Sequence, residues 1–184
     1  MQSPDTAGMD GLLASHRWLA RYNRWFNTRL FEACARLDAE ARTAPRGAFF
    51  GSVQGTLNHV LWGDRVWLGR IAAQPGAAWT ADPALLDLPP GARHGTVLHA
   101  DWDDLWRARS ALDGAFEDWL AGLAPAFLGA TMHYANSQGV VRAHPVWQAL
   151  THLFNHQTHH RGQVTTLLSQ AGVDVGVTDL IALL

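Results

Sequence analysis

Four segments of the chain repeat apolar residues at intervals of three and four, which is the spacing of one face of an α-helix. The pattern predicts helices over residues 10–39, 50–73, 95–121 and 145–171. Pro45 follows the first segment, Pro145 opens the last and Gly172 closes it, and all three are typical of helix ends. Because four amphipathic helices bury their apolar faces most simply against one another, the sequence predicts an all-α four-helix bundle.

Two stretches between the predicted helices have a different pattern. Residues 74–93 contain four prolines, which predicts a long crossover loop between helices 2 and 3 and lets these helices run parallel. Residues 131–142 place two short segments around the turn at 136–139, which predicts a small β-hairpin before helix 4. The apolar tail at 177–184 is expected to dock on the bundle.

Composition narrows the class of protein. The 184 residues are 48% hydrophobic and 16% charged, which excludes disorder as the main state and predicts a single domain over 1–184. The net charge of −2, with Arg as the only basic residue type besides His, gives no basic surface for nucleic acid or an anionic membrane. The single cysteine, Cys34, excludes an internal disulfide. Residues 1–11 contain no apolar run typical of a signal peptide, so we expect a cytoplasmic protein.

Ten histidines are unusually many, and four of them lie in the last predicted helix. His156 and His160 are one helical turn apart, with side chains about 5 to 6 Å apart, and can therefore bind one metal ion. His152 and His156 have the same spacing and form an alternative pair, whereas His152 and His160 are about 12 Å apart along the axis. His159 is expected to face outward. Taken alone, this spacing fits ordinary core or surface histidines better than a metal site.

Helix 2 offers His59 as a third ligand. Gly55 and Gly63 lie one turn before and after it, although each interior glycine costs a helix about 1 kcal/mol relative to alanine. One interpretation is that the two glycines keep space for a pocket. The alternative, a core His59 with glycines that admit a tryptophan from another helix, fits the spacing slightly better. Asp64 falls on the apolar face, so we expect it to pair with an arginine or a helix end rather than to bind metal.

Three motifs resemble those of the DinB family, a bacterial damage-inducible group of four-helix metalloproteins. They are HLFNHQTHHRGQ at 152–163, LNHVLWGDRVW at 57–67 and YNRWFN at 22–27. The resemblance spans about residues 12–180. It implies an up-down-down-up bundle, commonly a homodimer, and one divalent metal ion held by His59, His156 and His160. Some relatives carry Glu at the first position of the helix-4 pair, whereas this chain has His156.

Three neutral imidazoles leave coordination positions open, which is typical of a catalytic rather than a structural metal site. Nitrogen ligands suit several metals; zinc or nickel is expected here, with iron as an alternative. The nearest candidates to orient the rings or to line a pocket are His152, Asn155, Gln157, Gln163, Trp62 and Trp147. Arg161 is expected in a surface salt bridge rather than against an acidic substrate.

The resemblance implies a metal-dependent enzyme that uses a low-molecular-weight thiol, that is, a thiol-dependent S-transferase. The alternatives are a non-catalytic metal-binding stress-response protein and a metal-dependent hydrolase. His152 and Tyr134 are the only candidates for an acid or a base, and no catalytic residue is assigned. Because Cys34 lies on the core-facing side of helix 1, the thiol would have to arrive as a cosubstrate.

Overall fold

Four long helices carry the hydrophobic core, as the apolar spacing predicts. The computed structural model describes residues 6–184, so the N-terminal segment examined for a signal peptide falls partly outside it. The long helices are α1 (Thr6–Cys34), α3 (Val53–Ala72), α4 (Trp102–Gly122) and α6 (Val146–Gln170). Two short helices, α2 (Ala39–Thr43) and α5 (Pro125–Leu128), and two 3₁₀ turns, Pro83–Leu86 and Leu180–Leu183, complete the helical structure.

The side-chain contacts between helices define their directions. Helices α1 and α6 run parallel, because the residue numbers of contacting pairs increase along both helices: His16 contacts Thr151, and Asn23 contacts Arg161. Helix α4 runs antiparallel to α1 and α3 runs antiparallel to α6, as the following pairs show: Arg17 with Leu120, Asn27 with Asp113, His59 with His156, Trp67 with His152. The bundle is therefore up-down-down-up, as the family resemblance implies, and residues 73–101 cross over between the parallel helices α3 and α4.

Three predicted helix boundaries were wrong. The second long helix begins at Val53 instead of 50, because the Ser52 side chain caps it by accepting a hydrogen bond from the Gly55 N–H (3.0 Å). The first long helix ends at Cys34 instead of continuing to 39, and Asp38 then caps the separate helix α2 by accepting a hydrogen bond from the Ala41 N–H (2.7 Å). Helix α4 begins at Trp102 instead of 95, because the Asp101 side chain caps its first turn. Leu98 therefore lies in the crossover loop, although its spacing fits the apolar face of the helix.

The predicted hairpin is confirmed. Strand β1 (Thr131–Ala135) pairs antiparallel with β2 (Val141–Pro145), with Thr131 opposite Pro145. The Asn136 side chain accepts hydrogen bonds from two N–H groups of the turn, and Gly139 takes the positive φ of 76° that the turn requires. The hairpin sits at the start of α6.

A network of buried polar side chains links all four long helices. Asp64 accepts hydrogen bonds from Arg109 (2.5 Å) and from Gln157, and Arg109 also donates to Asp113 (2.7 Å). Asn27 donates to the same Asp113 carboxylate (3.0 Å). Each member is at most 4% exposed. The predicted pairing of Asp64 with an arginine is therefore confirmed.

Arg161 is part of the core, so the surface salt bridge predicted for it was wrong. It is 1% exposed and donates to the Asn23 side chain (2.6 Å). Its guanidinium lies over the rings of Tyr22 and Phe26, 5.1 and 4.8 Å from their centroids. The parallel packing of α6 on α1 turns this side chain inward, where aromatic faces and an amide stabilise the buried charge.

The C-terminal tail docks on the bundle only in part. Val173 and Val175 pack against the core, and the Tyr22 hydroxyl donates to the Thr178 carbonyl (2.5 Å). Three apolar side chains of the tail are exposed, Val177, Ile181 and Leu184, whereas Leu180 and Leu183 are half-buried. Docking therefore involves mainly the residues before the predicted segment 177–184. Within residues 6–184, no helix combines the length and the apolar character that a membrane span requires.

We predict that Asp64→Ala lowers the free energy of unfolding of the chelated, metal-free protein by about 3 to 5 kcal/mol. The substitution leaves the Arg109 charge buried with one of its two carboxylates removed. Urea denaturation measures the change. The exposed Asp118, replaced by Ala on α4, is the matched control and should change stability by less than about 0.5 kcal/mol. A loss below about 1 kcal/mol in Asp64→Ala would show that the network contributes little.

Candidate metal centre

Three imidazole rings meet between α3 and α6. His59 comes from α3, and His156 and His160 lie on successive turns of α6. One ring nitrogen of each residue lies within 4.8 Å of the other two, and the Nε2 atoms of His59 and His156 are 3.0 Å apart. Within residues 6–184, no other three residues of the types His, Cys, Asp and Glu come together in this way. The structure thus brings together the three residues that the family resemblance implies.

Two of the three rings are held in the tautomer that metal binding requires. His59 donates its Nδ1 hydrogen to the carbonyl oxygen of His94 in the crossover loop (2.8 Å). His160 donates its Nδ1 hydrogen to the Gln163 side-chain oxygen (2.8 Å). Because each acceptor fixes the hydrogen on Nδ1, the Nε2 lone pairs of both rings remain available to an ion. Among the described residues, the buried Nδ1 atom of His156 has no hydrogen-bond partner, and its Nε2 atom faces that of His59.

Burial keeps the three rings neutral. Desolvation is the main cause, and the neighbouring imidazoles act in the same direction; together they lower the pKa of His59 to about 4 and that of His156 to about 3. Burial also lowers the pKa of His160 from its usual value. Near pH 7 the site therefore presents neutral nitrogen donors, the form that binds a metal ion.

Gly63 leaves the space that the His156 ring fills. A Cβ atom at this position would lie 2.6 Å from Cε1 of His156, well inside van der Waals contact. The prediction that glycine keeps space at the site therefore holds for Gly63. Gly55 has a different role, since a Cβ there would overlap the backbone carbonyl oxygen of Phe50 in the turn before α3.

Aromatic rings cover the His59 side of the site. Phe50 stacks on the His59 ring with centroids 3.7 Å apart, and it meets His160 edge-on at 5.5 Å. Trp62 also stacks on His59, at 5.7 Å. These rings keep water from one side of the ligand nitrogens, which strengthens electrostatic interactions there.

The donor set fits a divalent transition-metal ion. Two nitrogens bound to one tetrahedral ion at about 2.0 to 2.1 Å lie about 3.4 Å apart, close to the 3.0 Å between the Nε2 atoms of His59 and His156. The cluster contains no fourth protein ligand among the described residues. The three histidines would therefore hold an ion and leave positions open to other molecules.

The remaining predicted pocket residues divide into two groups. Gln163 and Trp62 contact the triad, and the His152 ring lies 6.1 Å from that of His156. Gln157 is turned away from the site, towards Asp64. Asn155 is exposed, and no hydrogen bond joins it to the triad within the described chain. Trp147 lies nine residues before His156 on α6, about 13 Å along the axis.

The contacts of the crossover loop were not predicted from the sequence. Asn58 accepts hydrogen bonds from the N–H groups of Leu98 (2.8 Å) and His99 (2.9 Å), which fastens the loop to α3 next to His59. The His94 carbonyl and the Phe50 ring were also missed. A polar residue inside an apolar helix face, such as Asn58, was the one available signal.

The fold and the site together define a four-helix bundle with a three-histidine site between its second and fourth long helices. The DinB family model matches residues 13–184, and the chain belongs to the DinB family. Among solved structures, the chain is similar to a DinB-like protein from Bacillus cereus ATCC 10987, with a TM-score of 0.56 and 21% identity over 91% of this chain and 95% of that one. This likeness supports the fold. No curated protein matches the chain.

We predict that Gly63→Ala weakens metal binding more than tenfold without destabilising the fold. The new methyl group displaces the His156 ring, which can rotate away at little cost, while alanine is about 1 kcal/mol better than glycine in a helix. Metal titration against a chromophoric competitor measures the affinity. Gly69→Ala is the matched control on α3, because its Cβ would meet no atom within 4 Å. Equal affinities for the two variants would contradict the proposed role of Gly63.

We also predict that the metal-free protein loses stability as the pH falls from 6.5 towards 4. In this window the unfolded histidines bind protons, whereas the folded His59 and His156, with pKa values of about 4 and about 3, do not. The unfolded state therefore binds more protons, and the free energy of unfolding decreases with falling pH. Urea denaturation across this range measures the decrease.

The control separates the triad from other buried groups. His156→Gln should reduce the pH dependence, and His133→Gln, at an exposed position, should leave it unchanged. Burial raises the pKa of Asp64 to about 6, which acts in the opposite sense, but this contribution is common to all three proteins. The same pH dependence in all three would contradict the prediction.

Proposed function

We propose that the chain is a divalent-metal-dependent enzyme that transfers a group from an electrophile to a low-molecular-weight thiol. The observation that carries this proposal is the set of three neutral histidine nitrogens with no fourth protein ligand among the described residues. Membership of the DinB family supports it. In the reaction, a sulfur–carbon bond forms, the bond to the leaving group breaks, and the thiol proton leaves with that group.

A bound divalent ion supplies the Lewis acidity that lowers the pKa of a thiol towards neutrality, and zinc or nickel suits the donors, with iron as an alternative. The chain itself supplies the geometry. His59 and His160 are oriented by the His94 carbonyl and by Gln163, and Phe50 excludes water from one side. No catalytic residue is assigned.

The thiol comes from solution. Cys34 is the only cysteine, it is fully buried in the core, and burial raises its pKa to about 12. A thiol with such a pKa is not a nucleophile at neutral pH. A low-molecular-weight cosubstrate therefore fits the protein better than an internal nucleophile.

We predict metal-dependent thiol transfer by the zinc-loaded or nickel-loaded protein, prepared without an affinity tag. Glutathione, mycothiol and bacillithiol are each mixed with a chromogenic electrophile, and the rate is compared with that of His156→Ala. This variant should lose nearly all metal and the metal-dependent rate, because it lacks one of three ligands. His159→Ala, at an exposed position outside the triad, should keep both.

The outcomes distinguish three functions. Equal rates for the wild type and His156→Ala with all three thiols, and no thiol-dependent change in the visible spectrum of the cobalt-substituted protein, would reject the transferase. Metal-dependent cleavage of an ester or amide without thiol would then indicate a hydrolase. Metal binding without either activity would indicate a non-catalytic stress-response protein.

We also propose that the chain forms a homodimer through its C-terminal tail. Family membership supports this, and so do the exposed side chains of Ile181 and Leu184, which are 63% and 87% exposed. Large exposed apolar side chains that lie close together are typical of interaction surfaces.

Light scattering should give twice the chain mass of 20.2 kDa. The double substitution Ile181→Asp and Leu184→Asp should shift the protein towards the monomer, because it places charge in the interface. Val97→Asp is the matched control, since Val97 is a comparably exposed apolar residue on the crossover loop. A wild-type mass of one chain at micromolar concentration would reject the dimer.

A further inference from the structure

A cleft lies beside the metal centre, between α6 and the loop that precedes α3. Its volume is about 500 Å³, which is in the range of small-molecule sites. One wall is a face of α6 whose residues recur at intervals of three and four: Gly162, Gln163, Thr166 and Gln170. The other wall is residues 46–49 of the loop. Because Gln163 also accepts the Nδ1 hydrogen bond of His160, the cleft adjoins the residues that support the metal centre.

The loop wall has a defined conformation. The backbone N–H of Arg46 donates to the carbonyl of Gly51 (2.8 Å), and the Gly51 N–H donates to the carbonyl of Ala48 (2.8 Å). Gly51 takes the positive φ of 79° that closes this turn. The Phe49 ring packs against Phe50, with centroids 4.9 Å apart. The turn therefore presents Arg46 and Phe49 to the cleft before any ligand arrives.

Arg46 brings a positive charge without a counterion. None of the salt bridges in the described part of the chain includes it, and its side chain donates only to the backbone carbonyl of Ala41 (3.1 Å). No acidic side chain from residues 6–184 lines the cleft. A carboxylate matches the fork of a guanidinium with two parallel hydrogen bonds. One arginine balances a single negative charge, which favours a carboxylate over a phosphate dianion.

Phe49 provides an aromatic surface at the rim of the same cleft. Its side chain is 79% exposed, whereas every other phenylalanine, tyrosine and tryptophan in residues 6–184 is buried or half-buried. A lone exposed apolar residue needs no function of its own. This ring, however, lies three residues from an unpaired cation that lines the same cleft, and an aromatic ligand gains stability by stacking on it.

Gly162 keeps the α6 wall open. It lies in the interior of the helix, although glycine is a poor helix former. A Cβ atom at this position would meet no atom within 4 Å. The missing side chain therefore leaves free space in the cleft, and a larger residue at 162 would occupy it.

We propose that this cleft binds an aromatic monocarboxylate, with the carboxylate paired to Arg46 and the aromatic ring against Phe49. The site is distinct from the coordination positions of a metal ion, and the inference does not depend on the proposed thiol transfer. It assigns a ligand class to a part of the molecule for which the three histidines alone give no role.

The test measures binding of small aromatic acids to the zinc-loaded protein. Benzoate, phenylacetate, phenylpropionate and phenylbutyrate are titrated into isotope-labelled protein, each beside its neutral amide, and NMR chemical shifts give the affinities. At the length that joins Arg46 to Phe49, the acid should bind about tenfold more tightly than the amide, because its hydrogen bonds are charge-assisted. The backbone amides that shift should be those of residues 46–49 and 162–170.

Three variants assign the binding to the cleft. Arg46→Gln should remove the advantage of the acid and leave the affinity for the amide unchanged. Phe49→Ala should weaken binding of the acid and the amide alike, by about threefold to tenfold. Gly162→Leu should abolish binding of both while the melting temperature is maintained or raised, because leucine favours the helix.

Each variant has a matched control that should bind like the wild type. Arg65→Gln removes an arginine that also donates to a backbone carbonyl, that of Asp87, but does not line the cleft. Val141→Ala removes a comparably exposed apolar side chain, at 73%. Gly114→Leu adds a side chain to α4 where a Cβ atom would also meet no atom within 4 Å. Melting temperatures of all six variants verify that they fold.

Equal affinities of acid and amide at every length, including no binding of either, overturn the proposal. An acid advantage that survives in both Arg46→Gln and Gly162→Leu also overturns it, because the carboxylate then binds a metal ion or another surface. These results are independent of the thiol assay. An Arg46-dependent advantage without thiol transfer rejects the transferase alone, and thiol transfer without that advantage rejects the carboxylate site alone.

Discussion

The antiparallel contact between α3 and α6 determines the rest of the site. It places one ligand of α3 against two ligands that are one turn apart on α6, and a shift of either helix by one residue would separate them by about 1.5 Å along the axis and rotate them by about 100°. The contact is held at two points. His156 fills the space above Gly63, and one residue further along both helices Gln157 donates to Asp64. The apolar and polar contacts therefore fix the same register.

The polar core explains how that register is kept from slipping. Apolar faces alone tolerate small displacements, because one leucine contact resembles another. Buried charges do not, since an arginine that loses its carboxylate remains unpaired in the core. Arg109 pairs with both Asp64 and Asp113, and the hydrogen bonds that Gln157 and Asn27 donate to these carboxylates extend the network to all four long helices. We infer that this network specifies one arrangement of the bundle.

Much of the fold follows from periodicity, whereas helix ends and loop contacts do not. The apolar spacing correctly identified the four long helices, and the prolines of residues 74–93 marked the crossover. Leu98 shows where periodicity fails, because it continues the apolar spacing of α4 but precedes the cap at Asp101. At the site, the spacing of His156 and His160 predicted their proximity. His59 could be predicted as the third ligand only from the family motif. The His94 carbonyl could not be predicted, because a backbone acceptor carries no signature in the side-chain sequence.

The hydrogen bond from His59 to the His94 carbonyl makes the crossover loop a part of the site rather than a connector. Thirty-five residues separate the two partners, and the loop is fastened to α3 a second time through Asn58. A two-helix miniature that reproduces α3 and α6 with all three histidines would therefore lack the group that fixes the ring of His59. The smallest part of the chain that contains the whole centre is therefore the pair of helices α3 and α6 together with the crossover loop. Any transplant of the centre onto another scaffold has to supply a carbonyl in the same place.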